Sequence, residues 1–298
     1  MASMRDIKRR KQSVESTQQI TKAMKLVATV KLQRAKQRAE QSKYFFDAIY
    51  STVSSILRRS GTINHRYLNE PTSEKKAVIM LTGNRGLAGG YNSNVIKLIT
   101  KNEKFSKENT VVYAAGKKGK DSLARLGYTI AGDYSDAIDE PTYPDAMKIS
   151  RDVLSAFENG EIGEIYLAYT FFKNTVTHEQ RLIKLLPVEI EVPELPEGAT
   201  EGTIGDSSEK EDMTPMNFEP EDVEALDMII PKYMTSLIHG ALIEAVASEN
   251  GARMQAMDNA TTNATELIEH LSLLYNRARQ GAITQELTEI IAGADAIS

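Results

Sequence analysis

Three stretches carry residue types that could do chemistry. Gly83-Asn84-Arg85-Gly86-Leu87-Ala88-Gly89-Gly90 follows an apolar run and precedes a helical pattern. A phosphate could sit there, on the N–H groups of a helix N-terminus. The loop lacks the Gly-Lys-Ser/Thr of a phosphate-binding loop and the spacing of a dinucleotide fingerprint, so it reads as a tight turn packed close to a neighbouring backbone. Gly116-Lys117-Lys118-Gly119-Lys120 is also phosphate-friendly in composition, but no Ser or Thr follows Lys120, and it reads as a solvated helix start. Glu286 and Glu289 fall three apart on one helical face. General acid–base work would require a pocket and a perturbed environment, which a helix end does not offer by itself, so surface recognition is favoured. Arg279 and Gln280, one to two turns earlier, can hydrogen-bond carboxylates or carbonyls on a surrounding wall. Cysteine is absent, which excludes disulfides and thiolate metal sites, and the four histidines (His65, His178, His239 and His270) are far apart. The expectation is therefore no catalytic, cofactor-binding or metal site.

The stretch from Lys76 to about Ile190 positions the two glycine-rich loops. Ala77-Val78-Ile79-Met80-Leu81 is a continuous apolar run, as a buried parallel strand would be. Further strands are expected at Val111–Ala115, Tyr128–Ala131 and Ile165–Phe171, with Val176–Ile190 returning as a hairpin. Helices are expected from about Ser93, from Lys117 to Leu126 and from Tyr143 to Phe157. Strands alternating with helices predict an α/β domain with a mostly parallel sheet. Residues 191–220 are acidic and rich in Pro and Gly and predict an exposed loop.

Two long helical arms flank this domain. Ser3–Leu57 contains neither Pro nor Gly, and Ala28, Leu32, Ala35, Ala39, Ser42, Phe46, Ile49, Val53 and Ile56 alternate steps of four and three, a heptad seam. Its first half keeps only Ile7 and Val14 in that register, beside a second apolar stripe at Ile20, Met24 and Val27. The second arm starts near Glu221, with Pro231 as a kink or true start and Gly251 as a weak point. Its seam runs through Ala260, Ala264, Leu267, Leu271, Leu274 and Ala278, then resumes shifted at Ile283, Leu287, Ile290 and Ala294. The net charge of -5 hides an asymmetry: residues 1–43 hold twelve Lys and Arg against three acids, whereas residues 240–298 hold eight acids against three Arg. Oppositely charged ends can pair within the chain. No run approaches the roughly 18 apolar residues of a membrane span, and no secretion signal is expected from the basic start.

Leaving one domain, the arms can lie together only as an antiparallel pair. At about 1.5 Å per residue they would measure ~82 and ~114 Å, so the second overshoots by ~30 Å, roughly Arg277 to Ala296. A bare apolar stripe on a helix of about 20 residues is marginal in water. The overshoot predicts an external sleeve.

At Ile283-Thr284-Gln285-Glu286 with Glu289 and Gly293-Ala294 the chain resembles the gamma subunits of F-type ATP synthases. Ala247–Met254, Met257–Ala264, Leu274–Gln280, Ile20–Ala28 and the Asn84-Arg85-Gly86-Leu87 loop are similar to that family too, and the similarity covers nearly the whole chain. The resemblance implies a long antiparallel coiled coil of N- and C-terminal helices (residues 1–60 and 221–298) with a central Rossmann-like α/β domain (76–190). It implies a bacterial rotor subunit inside a ring of three alpha and three beta subunits, bound to epsilon and the c-ring, with catalysis on beta and no cofactor here. Such a subunit would be peripheral to the membrane on the cytoplasmic face. It also implies rotor–stator contacts at Met24, Glu249, Arg253, Arg279, Gln280, Thr284, Glu286 and Glu289. The rival from another class is a nucleic-acid-binding α/β protein with a basic helical arm, which lacks the aromatic interleaving such an arm would carry before Tyr44. A dinucleotide-binding enzyme is third.

Overall fold

The computed structural model describes residues 4–59, 65–69, 73–175, 177–188 and 222–295. The expected acidic loop at 191–220 lies outside them. The elements in chain order are α1 (Met4–Arg59), β1 (Lys76–Leu81), α2 (Tyr91–Thr100), β2 (Thr110–Ala115), α3 (Lys117–Arg125), β3 (Thr129–Asp133), a 3-10 turn (Ser135–Ile138), α4 (Tyr143–Glu158), β4 (Glu164–Phe172), β5 (His178–Leu186) and α5 (Asp222–Asp295). The chain divides into two compact units, one of Met1–Thr29 with Arg253–Ser298, the other of Val30–Ala252. Both long helices are therefore cut by the division, which does not separate helix from sheet.

The larger unit is built on one sheet in the order β3-β2-β1-β4-β5. The first four strands run parallel, and β5 returns antiparallel to β4. In β1, Ala77 to Leu81 are fully buried, because helices cover both faces of the strand. Ala77, Ile79 and Leu81 pack with Ile149 and Val153 of α4 and with Leu226, Ile230, Met234, Ile238 and Leu242 of α5. Val78 and Met80 pack with Val95 and Ile99 of α2 and Leu123 of α3. Period-two alternation within a wholly apolar strand thus sorts residues between two cores. Thr142 and Asp145 form a capping box that starts α4, with Pro in its first turn. Pro231 lies inside α5, which continues through it, and Thr235 bonds the Pro231 carbonyl at 2.8 Å.

The smaller unit is an antiparallel helix pair. Gln18 Nε2 donates to Thr265 Oγ1 at 2.7 Å, Thr21 Oγ1 meets Thr261 Oγ1 at 2.8 Å, and Lys25 Nζ donates to Asp258 Oδ1 at 2.6 Å. Residue numbers rise on one helix as they fall on the other. Ala28, Met257, Ala264 and Leu271 are buried in the same unit. The second apolar stripe of α1 lies outward at Ile20 and Val27, which are 57% and 58% exposed. The inward positions are instead Ile7, Lys11, Val14, Gln18, Thr21, Lys25 and Ala28, which keep the four-three alternation unbroken. At three of these positions the polar side chains, Gln18, Thr21 and Lys25, find partners across the seam. The Lys25–Asp258 pair is 38% and 55% exposed on its two side chains. Lys25→Met is therefore expected to cost no more than about 1 kcal/mol in urea unfolding of the full chain; a larger loss would mean that the pair is not solvent-screened.

Candidate interaction surface at the helix end

The glycine-rich loops are the first candidates, and the N–H groups that open α3 are already used. The backbone N–H of Lys117 donates to Asn84 Oδ1 at 3.0 Å, that of Lys118 to the Gly83 carbonyl at 3.2 Å, and that of Gly119 to Thr82 Oγ1 at 3.0 Å. The first turn of α3 thus has no N–H group from these residues left for a phosphate. Gly116 and Gly119 serve close packing. A Cβ on Gly116 would lie 1.9 Å from the Thr82 carbonyl oxygen, and one on Gly119 would lie 2.4 Å from Met80 Cε. At the end of β1, Gly83 N donates to Asn92 Oδ1 at 2.8 Å.

The crevice at the carboxyl ends of β1 and β4, where the strand order reverses, is the site at which open α/β sheets bind ligands. Here α5 fills it. Glu249 is 7% exposed, and its carboxylate carbon lies 2.7 Å from where a Cβ of Gly83 would be. Tyr91 Oη donates to the Ala245 carbonyl at 3.1 Å, and Ser248 Oγ to the Thr170 carbonyl at 3.0 Å. Glu249 therefore packs against Gly83 within this chain. Gly251 is explained similarly. A Cβ there would lie 2.7 Å from His178 Cε1, so the glycine admits the imidazole rather than marking a weak turn.

The other candidates lie in the helix pair. The rung register carries Met4 to the level of about Arg279, so the rest of α5 runs on without α1 beside it. From Gln280 to Ala294 every residue but the half-buried Ala282 is exposed. Ile283, Leu287, Ile290 and Ile291 are 49%, 55%, 68% and 61% exposed. Contiguous apolar exposure of this kind marks a surface built to be covered. Arg279, Gln280, Thr284, Glu286 and Glu289 all stand on this exposed end. Thr284 Oγ1 bonds the Gln280 carbonyl at 2.9 Å, and Gln285 Nε2 donates to Glu289 Oε1 at 2.9 Å. Met24 and Arg253 are half-buried within the same unit, away from the apolar end. The second apolar stripe of α1 is joined on its outward face by Leu26, 63% exposed, which sequence reasoning did not single out. The signal was present as an apolar excess over what one seam can bury. Among the described residues no cluster of side chains could hold a metal ion, and no helix is long and apolar enough to cross a membrane.

Residues 3–297 match the family model described as ATP synthase. The chain is 61% identical over 298 residues to the ATP synthase gamma chain of Lachnoclostridium phytofermentans, with all of both chains covered. The chain belongs to the ATP synthase gamma chain family. A second gamma chain, described as sodium ion specific, from Acetobacterium woodii, is 41% identical over 300 residues, with 99% of each chain covered. Among solved structures, a chain of the Euglena gracilis mitochondrial ATP synthase (OSCP/F1/c-ring, rotational state 3) superposes with a TM-score of 0.67 at 19% identity, covering 99% of this chain and 94% of that one. At such identity the likeness bears on the fold alone.

Proposed function

We propose that this gamma chain is the central-stalk rotor of a bacterial F1Fo ATP synthase. It turns within a ring of three alpha and three beta subunits and couples ion-driven rotation of the c-ring to conformational change at the beta sites. It is a non-catalytic subunit, and ATP is made and hydrolysed on beta. The epsilon subunit and c-ring bind at its α/β domain and hold it peripherally at the cytoplasmic face of the plasma membrane. One observation carries this reading: the last turns of α5 expose Ile283, Leu287, Ile290 and Ile291, with no second helix among the described residues beside them. In the rotor, the alpha–beta ring encloses that end.

Rotation requires that the stalk interact differently with alternative states of each site in turn. We assign those contacts to Arg279, Gln280, Thr284, Glu286 and Glu289 at the exposed end, with Met24 and Arg253 lower on the pair. Small residues (Ala282, Ala292, Gly293 and Ala294) leave the end smooth enough to turn, and polar groups exchange partners from face to face. The nucleic-acid alternative has no support in the relatives. Basic groups of α1 are also engaged within the chain, Lys25 by Asp258 and Lys36 over the Phe172 ring at 5.1 Å. The test is co-purification with alpha and beta subunits, followed by an ATPase assay with and without this chain. A stable complex whose activity depends on the chain is expected; failure to assemble, together with salt-dependent binding to DNA, would favour the alternative.

A further inference from the structure

Within the larger unit, the edge of the sheet at β3 and the C-terminal half of α4 leave a cleft of about 290 Å³. Tyr113 of β2, Tyr134, and Asp152, Asn159 and Glu161 on and after α4 are among the residues that line it. Small-molecule pockets run from about 300 to 1,000 Å³ and are mostly apolar. This cleft falls at the small end and carries polar groups, so it suits one side chain of another protein better than a whole ligand.

Three observations fix the charge of what would fill it. Tyr113 is only 6% exposed, yet its hydroxyl has no hydrogen-bond partner among the described residues. A buried phenol normally finds one, as Tyr134 does by donating to Asp152 Oδ2 at 2.6 Å. Next, neither Asp152 nor Glu161 forms an ion pair among the described residues. Burial first, then the Glu161 and Asp152 carboxylates, push the Tyr113 phenol up, so both charges stand near that hydroxyl. Finally, α4 ends with no basic residue in its last turn, and the negative end of its dipole lies uncompensated at Asn159. Lys148 stands 5.9 Å from the Tyr134 ring centroid and is not part of the lining.

We propose that this cleft receives the guanidinium of an arginine of the epsilon subunit. The identity of the partner rests on the rotor function proposed above, whereas the charge and shape of the occupant rest on the cleft. A guanidinium presents several N–H donors in one plane. Asp152 Oδ1, the Glu161 carboxylate, the Asn159 side-chain oxygen and the free Tyr113 hydroxyl offer it acceptors from different directions, and the tyrosine rings offer a face to stack on. An ammonium is a point charge and would leave some of these acceptors unmet. The cleft opens along the side of the sheet, so its occupant comes from a subunit beside the domain and not from a ring beneath it.

The test is isothermal titration of the full chain with purified epsilon subunit. Asp152→Asn combined with Glu161→Gln keeps the shapes and removes both charges, and because both residues are exposed the fold is expected to hold. This double variant should weaken epsilon binding by about ten-fold or more. Tyr113→Phe, which removes only the hydroxyl, should weaken it by about three-fold. Glu103→Gln combined with Glu108→Gln removes two exposed acids outside the cleft, and should stay within about two-fold of the wild type. One arginine of epsilon, changed to lysine, should reproduce the loss and add nothing further to the double variant, as a coupled pair requires. An equal loss in the control pair, an unchanged double variant, or no epsilon arginine coupled to the cleft overturns the proposal. Tight binding of spermidine to the free chain, abolished by the double variant, also overturns it by making the occupant a free polyamine. If the double variant fails to fold, Glu161→Gln alone decides: a loss of about two-fold or more supports the proposal, and no loss overturns it. A wild-type chain that does not bind epsilon at all overturns the rotor function together with the cleft assignment; a wild-type chain that binds epsilon no better than the cleft variants overturns the cleft assignment alone.

Discussion

Removal of residues 279–298 is expected to cut coupled ATP synthesis by about ten-fold or more while leaving the fold intact. The deleted segment holds Ile283, Leu287, Ile290 and Ile291, all about half exposed or more, so little of the chain's own core is lost. At roughly 25 cal/mol per Å² of apolar surface buried, side chains that remain in water contribute almost nothing to folding. They contribute when something else covers them, and in the proposed rotor that is the alpha–beta ring. A ten-fold fall corresponds to about 1.4 kcal/mol, which the loss of one well-buried apolar side chain would supply. The measurements are ATP synthesis by reconstituted vesicles and the melting temperature of the purified chain. Unchanged synthesis would sink the assignment of this end to the ring; a melting temperature that collapses with the truncation would show that it belongs to the core.

The second large effect is local. Gly116→Ala is expected to destabilise the full chain by more than about 3 kcal/mol, through two independent costs. The backbone there has φ of 119°, a conformation that residues with a Cβ rarely adopt. The added methyl would also lie 1.9 Å from the Thr82 carbonyl oxygen, a backbone atom that cannot swing aside. Relief would require β1 and α3 to part, breaking the bonds from Thr82 Oγ1 to the Gly116 carbonyl and from Gly119 N to Thr82 Oγ1. Chemical denaturation followed by circular dichroism measures this, and a loss below 1 kcal/mol would mean that the loop yields more easily than its geometry implies. By contrast, a Cβ on Gly86 meets nothing within 4 Å, which makes Gly86→Ala the control from the other glycine-rich loop.

The sequence was legible where one physical demand dominated. The apolar run Ala77–Leu81 is a strand buried on both faces, and its composition says so without a partner. The exposed end of α5 was legible from helix lengths alone, because a rod longer than its neighbour must protrude. Legibility failed where two demands competed. Between Ile20 and Val27 apolar residues lie outward and polar ones line the seam, so hydrophobic periodicity alone does not tell which of the two stripes faces the partner helix. Glu249 reads as a surface acid on a polar stretch, and only the sheet's topology reveals that Gly83 lies beneath it. No local pattern separates a glycine that weakens a helix from Gly251, which admits an imidazole from a strand about 70 residues earlier.

The rungs at Gln18–Thr265, Thr21–Thr261 and Lys25–Asp258 also set a length standard. An all-leucine seam tolerates axial creep, since every heptad looks like the next. Here a creep of one heptad would bring Lys25 opposite Thr265, set Ile268 against Thr21 and leave Asp258 without its ammonium partner. The two rods are indexed like a keyed spline, so twisting load is carried as strain in the pair instead of being dissipated by slippage.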